Sequence, residues 1–221
     1  IAGCCLAYFF FKYSKSILLI DRNSQVAFGA SGAAGAFLSP LLGKPNDFKD
    51  LVTKSLIFST NFYKNLGEEL VSNCGVCRIP KNEEDRDKFE SYKPYMDFKY
   101  TQMDDGYFFE IGSQVTPSLI CEKLTKDIEK KLSYNVIKLE QNENSTWIIN
   151  DEICAKNIIL TTGADVKHIK EDYFDIRGVW GQKIDVSTTT EIKINYHKEC
   201  SVSKASKIEN TKLFKVSIGA T

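Results

Sequence analysis

Histidine is nearly absent: His168 and His197 are the only two among 221 residues. With a single C-x-x-C, Cys74 to Cys77, that scarcity argues against a zinc site, which takes four ligands in two clusters. Neither histidine sits in a recognisable catalytic triad. Net charge is lacking as well, since Lys+Arg and Asp+Glu both number 29. No global field therefore favours nucleic acid or an anionic membrane, and an RNA contact requires a local patch or another domain. Long apolar runs are missing too. The stretch from Ile1 is uninterrupted only to Phe11, Lys12 and Lys15 break it, and its charged flank follows rather than precedes it, the reverse of a secretory signal. No membrane role is expected. Seven cysteines is an odd number, and Cys4 and Cys5 adjoin in an apolar run, which suits a reducing cytoplasm better than a disulfide framework. The first residue is Ile, not Met, so the sequence reads as beginning inside a structural element; it stops at Ser217 to Thr221, straight after a strand-like run.

What is present supports a folded core: 43% of residues are hydrophobic, and the length suits one large domain or two small ones. Gly3 to Lys12 places small residues before bulky ones, as in a helix whose first turn approaches something closely. Ser16 to Asp21 is a short apolar run ending in an acid, the pattern of a buried parallel strand. Phe28 to Gly43, rich in Gly, Ala and Ser, reads as a loop leading into a close-packed helix start. Asp50 to Leu70 has apolar residues at helical period. Lys81 to Lys99 carries a dense charge run that reads as a solvated surface helix. Tyr107 to Phe109 reads as a strand and Pro117 to Leu132 as a helix with Pro in its first turn. Asn135 to Glu140, Thr146 to Asn150 and Asn157 to Thr161 are three strand candidates. The alternating runs Gln182 to Val186, Glu191 to Tyr196 and Leu213 to Ile218 predict an antiparallel sheet.

Three segments carry chemistry. A dinucleotide fold sets the pyrophosphate on a helix N-terminus after a glycine turn, and an acid near 20 residues on takes the ribose hydroxyls. Gly3 and Asp21, 18 positions apart, match the later half of that pattern. In Ala30-Ser-Gly-Ala-Ala-Gly-Ala-Phe-Leu-Ser-Pro40 small residues around two glycines let backbone N–H groups approach an anionic or planar ligand, or else allow tight helix packing. Asn157-Ile-Ile-Leu-Thr-Thr-Gly-Ala-Asp165 reads as a strand running into a small-residue turn, at the edge where α/β folds bind ligands.

In this order the three segments resemble the FAD-dependent oxidoreductases of the D-amino-acid oxidase and glycine oxidase superfamily. The resemblance implies an α/β architecture, a Rossmann-like FAD-binding domain (1–45 and 118–168) interleaved with an antiparallel-sheet substrate domain (46–117 and 169–221), with the chain truncated at both ends. It implies that Gly3, Asp21 and the adjoining Arg22 contact the pyrophosphate and adenosine ribose. Ser31, Gly32, Ala33, Ala34 and Gly35 would approach the pyrophosphate and flavin, Val136 would flank the adenine through its backbone, and Thr161, Thr162 and Gly163 would close over the cofactor. Gly29 to Leu42, Gly106-Tyr-Phe-Phe109, Val115 to Cys121 and Arg177-Gly-Val-Trp-Gly-Gln182 are further similar to one branch, the oxidase half of bifunctional tRNA 5-methylaminomethyl-2-thiouridine biosynthesis proteins. That branch implies tRNA as substrate, removal of a carboxymethyl group from a wobble uridine, and an upstream methyltransferase domain using S-adenosylmethionine. A small amine or amino acid as substrate, and a non-redox nucleotide-binding or interaction module, are the alternatives.

The flavin accepts a hydride from a carbon beside a neutral amine, so no side chain need be an obligatory acid or base. Arg177 is a candidate partner for a substrate carboxylate, set against a structural arginine at the domain junction. Trp180 and Tyr196 read first as packing on a half-buried sheet face, Cys74 and Cys77 as structural, His168 as a surface residue, and the lysines from Lys193 to Lys215 as a solvated face. Residues 1–221 alone are expected to retain FAD weakly or not at all.

Overall fold

The computed structural model describes residues 1–14, 16–103, 105–165 and 176–220; His168 lies outside them. The chain forms two compact units, Ile1–Gly32 with Cys121–Trp180, and Ala33–Ile120 with Gly181–Thr221. The sequence reading set its breaks near 45, 118 and 168.

In the first unit the helix Ala2–Phe11 buries Cys4 and Ala7. The strand Leu18–Ile20 pairs in parallel with Glu129–Lys131. The helical pattern expected over 117–132 therefore stops early, as Pro117–Leu124. Thr125 turns its hydroxyl back onto the Cys121 carbonyl at 2.8 Å, Ile128 is buried beyond the turn, and the edge of Leu18–Ile20 then claims the backbone of 129–131. An antiparallel meander follows, Leu139–Gln141, Trp147–Ile149 and Ile153–Ala155. Its second hairpin turns on Asn150 and Asp151, both at positive φ (48° and 61°), the conformation of a type I′ turn that matches strand twist. Two strand candidates change here. Only the end of 135–140 is a strand, because Asn150 Oδ1 takes the N–H groups of Ile137 and Lys138 at 2.9 and 3.0 Å. The segment 157–161, for all its β-branched residues, pairs with no strand among the described residues and leaves Ile159 and Leu160 exposed; β propensity needs a neighbour to bond.

The second unit is built on a mixed sheet. Its strand order is Gln182–Thr188, Phe214–Ala220, Ser201–Val202, Asn195–His197, Val76–Arg78, Gly106–Phe109, Thr101–Met103, with Ser206–Lys207 also on Phe214–Ala220. The sheet is not wholly antiparallel as expected, since Asn195–His197 runs parallel to Val76–Arg78. The side chain of Asn195 explains that pairing. It is fully buried, donates to the Gly75 carbonyl at 3.1 Å and accepts from the Lys204 N–H at 2.9 Å, so a single amide joins three segments. The expected strand at 191–196 accordingly shrinks to Asn195–His197. Glycine is obligatory nearby: Gly75 has φ +74°, and a Cβ on Gly112 would lie 2.3 Å from Val76 Cγ1. Val76, Phe89, Tyr107 and Phe109 form the core over this strand pair.

The helix Asp47–Leu66 begins before the expected residue 50, because Asn46 caps it by accepting from the Lys49 N–H at 2.9 Å. The charge-dense helix Glu83–Tyr92 is capped in the same way by Asn82 and buries only Phe89. The segment 28–43, expected as a loop leading into a helix start, holds a one-turn helix, Ala30–Ala33, followed by an unexpected strand, Phe37–Leu38, that pairs with Ser113–Val115. Trp180 is not a sheet residue: its side chain is 96% exposed and no strand includes it, whereas Tyr196 lies half-buried in a strand. Lys49 is buried, donates to the Tyr95 carbonyl, and pairs with Asp97 at 2.7 Å. Burial works to raise the Asp97 pKa, but the bonds from Lys49 and Thr53 outweigh it and hold the carboxyl below the usual range.

Two outcomes follow. Replacing Asn195 with Ala strips the side-chain acceptor from the Lys204 N–H and leaves the Gly75 carbonyl only the long 3.4 Å bond from the residue-195 backbone N–H, and should lower stability by about 2 kcal/mol in urea unfolding. A carboxylate with a depressed native pKa contributes stability above its unfolded pKa of about 3.9, lost as the pH falls through the native value. Asp97→Asn should therefore flatten the acid limb of a stability profile and leave the neutral-to-alkaline limb unchanged in shape.

Candidate functional site

The first unit gathers several of the candidate residues at one helix start. The helix Ala2–Phe11 has no side-chain cap and no acid in its first turn, so its leading N–H groups and the positive end of its dipole are left for an anion. Gly3 sits in that turn, where a Cβ would come within 2.6 Å of Thr161 Oγ1 and 3.6 Å of Leu19 Cδ1. The Thr161 side chain thus lies against the turn, and any side chain at position 3 requires its hydroxyl to move. The Ile1 nitrogen donates to Ser31 Oγ at 3.1 Å, which brings Ser31 to the same helix start. Below the turn lie Cys4 and Cys121, two buried thiols that hydrogen-bond each other; the bond pushes the Cys4 thiol up and draws Cys121 down to about 7.

Asp21 follows the strand Leu18–Ile20. Its Oδ1 accepts from Asn23 N and Nδ2 at 2.9 and 3.0 Å, which orients the carboxylate and leaves Oδ2 without a hydrogen bond among the described residues. Its backbone is held between the Lys131 carbonyl and the Tyr134 N–H. Arg22 forms an ion pair with Asp165, tying the end of this strand to the turn in which the Asp165 N–H meets the Thr162 carbonyl at 3.3 Å and Gly163 takes φ +65°. Gly3, Ser31, Asp21, Arg22 and Thr161 to Gly163 therefore belong to one unit, in which Gly3 touches Thr161 and Arg22 reaches Asp165. Val136 is half-buried, and its backbone makes no hydrogen bond among the described residues, while Asn150 pins both of its flanks.

Other candidates have local roles. A Cβ on Gly32 would lie 2.1 Å from the Ala27 carbonyl, so this glycine is demanded by its own turn. Ala33, Ala34 and Gly35 belong to the second unit, where the Gly35 carbonyl accepts from Gln114 Nε2 at 3.0 Å. Arg177 is exposed, outside any helix or strand, next to Gly178, which a Cβ would bring within 3.7 Å of Ala164. Asn23, Asn150 and Asp165 escaped the sequence reading. Asn two residues after Asp is a local turn signal that could have indicated the first; the other two act across long stretches of chain.

A family model described as "DAO: FAD dependent oxidoreductase" matches residues 1–205. Among curated proteins, a tRNA 5-methylaminomethyl-2-thiouridine biosynthesis bifunctional protein from Campylobacter fetus is 22% identical over 146 residues, 64% of this chain and 23% of that protein. The chain thus aligns with about a quarter of that relative's length. Among solved structures, glycine oxidase from Geobacillus kaustophilus superposes with TM-score 0.74 at 10% identity, covering 99% of this chain and 69% of that one. FAD-bound L-α-glycerophosphate oxidase from Mycoplasma pneumoniae gives 0.72 at 15% identity, with the same two coverages. Iminodiacetate oxidase from a Chelativorans species gives 0.69 at 16%, again over 99% and 69%. These likenesses establish a shared mixed α/β fold. No described helix is long and apolar enough to cross a membrane. The match along nearly the whole length establishes that the chain belongs to the FAD-dependent oxidoreductase family.

Proposed function

We propose that the protein containing this chain oxidises a C–N bond with FAD, and that its substrate is the carboxymethylaminomethyl group of a wobble uridine in tRNA. The observation that carries the flavin part is the uncapped, acid-free helix start with Thr161 pressed against Gly3, a cradle that a Cβ would fill. Backbone N–H groups of that turn and Ser31 would hold the pyrophosphate, Oδ2 of Asp21 would accept from the ribose, and the unbonded backbone of Val136 would meet the adenine. Arg22 is engaged by Asp165, so its part is to hold the turn at Thr162 and Gly163 closed. Bound FAD supplies the two-electron oxidation that no side chain here can perform. The task of the chain is to bind, orient and exclude water.

The tRNA reading draws its support from the Campylobacter relative, and a methyltransferase activity would then belong to a segment outside this chain. A second reading, oxidation of a small amine such as glycine, is supported by the likeness to glycine and iminodiacetate oxidases. Glycine, iminodiacetate and the carboxymethylaminomethyl group share an N–CH2–COO⁻ unit, so one chemistry suits every candidate. The odd count of seven cysteines, with Cys4 beside Cys5 in an apolar run, supports a reducing, cytoplasmic setting.

Gly3→Val forces Thr161 away from the helix start, and Asp21→Ala removes the ribose acceptor. The first should abolish flavin absorbance in the purified protein, and the second should weaken FAD binding about tenfold in a fluorescence titration; full FAD retention by Gly3→Val is incompatible with the cradle. Incubating the holoprotein with bulk tRNA, glycine and iminodiacetate in turn separates the substrates. Loss of carboxymethylaminomethyl-uridine by nucleoside mass spectrometry is expected, and turnover of the small amines alone would reject tRNA.

A further inference from the structure

Asn150 does more than turn a hairpin. It stands between the strands Trp147–Ile149 and Ile153–Ala155 at φ +48°, a conformation that glycine or aspartate would also supply. Its side-chain amide is engaged with a different stretch of chain. Oδ1 accepts from the Ile137 and Lys138 N–H groups at 2.9 and 3.0 Å, and Nδ2 donates to the Asn135 carbonyl at 2.8 Å. The Asn150 N–H adds a bond to the Lys138 carbonyl at 3.0 Å. One residue therefore holds 135, 137 and 138, while Val136 between them keeps both its N–H and its carbonyl without a hydrogen bond among the described residues.

The same stretch is tied to the carboxylate proposed for the ribose. The Ser133 N–H donates to the Asn23 carbonyl at 2.8 Å, and the Tyr134 N–H to the Asp21 carbonyl at 3.0 Å. Val136 follows Tyr134 by two residues, so no more than about 7 Å of chain separates it from that anchor. Asn135, Ile137 and Lys138 are all exposed, so packing does little to fix this path and the amide of Asn150 does it instead. One residue offers one donor and one acceptor, and an adenine edge carries a ring-nitrogen acceptor beside the 6-amino donor. The two sets are complementary as long as Val136 stays unbonded within its own chain.

We propose that Asn150 is the positioning residue of the adenine site: it satisfies the backbone on both sides of Val136, so that the Val136 N–H and carbonyl remain for the base. The assignment rests on the flavin reading and deepens it, by naming what selects the adenine end of the cofactor. Asn150 acts through Val136 and is not itself a contact of the base. The role needs an amide, since one oxygen must accept from two N–H groups while a nitrogen donates to a carbonyl. Aspartate keeps the first function and loses the second; glycine keeps only the turn. Without the side chain, ordering of the stretch falls to the incoming cofactor, which lowers its affinity.

The test titrates the full-length protein, freed of flavin, with FAD and with its hypoxanthine analogue, in which a carbonyl replaces the 6-amino group, and follows flavin fluorescence. The unsubstituted protein should favour FAD by about tenfold, because the analogue sets its carbonyl against that of Val136. Asn150→Gly suits the positive φ and removes only the amide. It should bind FAD about tenfold more weakly, bind the analogue with little change, and so lose the preference. Asn150→Asp, which keeps both acceptor bonds, should retain a preference of about threefold, and it decides the matter where the glycine variant fails to fold. A purely structural role would weaken both ligands alike; that result, or a preference still at about tenfold in both variants, would overturn the assignment. Absence of FAD binding by the unsubstituted protein would instead reject the flavin reading on which the assignment stands.

Discussion

The contact between Gly3 and Thr161 is the constraint on which the first unit turns. A helix start can present bare N–H groups to a ligand only if nothing of its own chain fills the space above it. Here the helix Ala2–Phe11 lacks both a capping side chain and a first-turn acid, while Thr161 approaches so closely that position 3 has no room for a Cβ. The missing Cβ thus leaves room for the Thr161 hydroxyl beside the turn. The pair between Arg22 and Asp165 then fastens the same turn from its other side, and Asn23 aims Asp21.

The second unit solves a different problem by a similar economy. Its central strands cross where Gly75 and Gly112 meet, N–H to carbonyl at 2.9 Å, and the buried amide of Asn195 recruits a distant strand to run parallel beside Val76–Arg78. A polar group so buried is tolerable because its oxygen and its nitrogen both find backbone partners. Arg78, on the same strand, departs from that rule, with Nε buried and without a hydrogen bond among the described residues.

Much of the architecture was legible. The helix after Gly3, the strand before Asp21, the amphipathic and charge-dense helices and the two long strands Gln182–Thr188 and Phe214–Ala220 all follow from residue patterning. The misreadings share one cause. Residues 129–131 look like the end of a helix and residues 157–161 like a strand, yet the former pair with Leu18–Ile20 and the latter pair with nothing described. Trp180 failed for the same reason, having been assigned to a sheet face that does not extend to it. Of the proposed cofactor site, Gly3, Asp21, Ser31 and the Thr-Thr-Gly turn were candidates because their residue types are themselves the signal; the roles of Asn23 and Asp165, which orient Asp21 and hold Arg22, were not legible, because they depend on contacts and not on residue type.

By itself the sequence determined whatever a few adjacent residues can enforce. Asn46 and Asn82 cap their helices, Asn150 and Asp151 take the left-handed turn, and small residues mark the places of close approach, because these preferences are energies of local backbone and side-chain conformation. Only the tertiary structure decided which extended segments became strands, that Asn195 would draw its strand parallel to Val76–Arg78, and that the guanidinium of Arg78 would be withdrawn from water without a carboxylate. Those outcomes depend on hydrogen bonds and desolvation between residues far apart in the chain, and no local pattern encodes the partner.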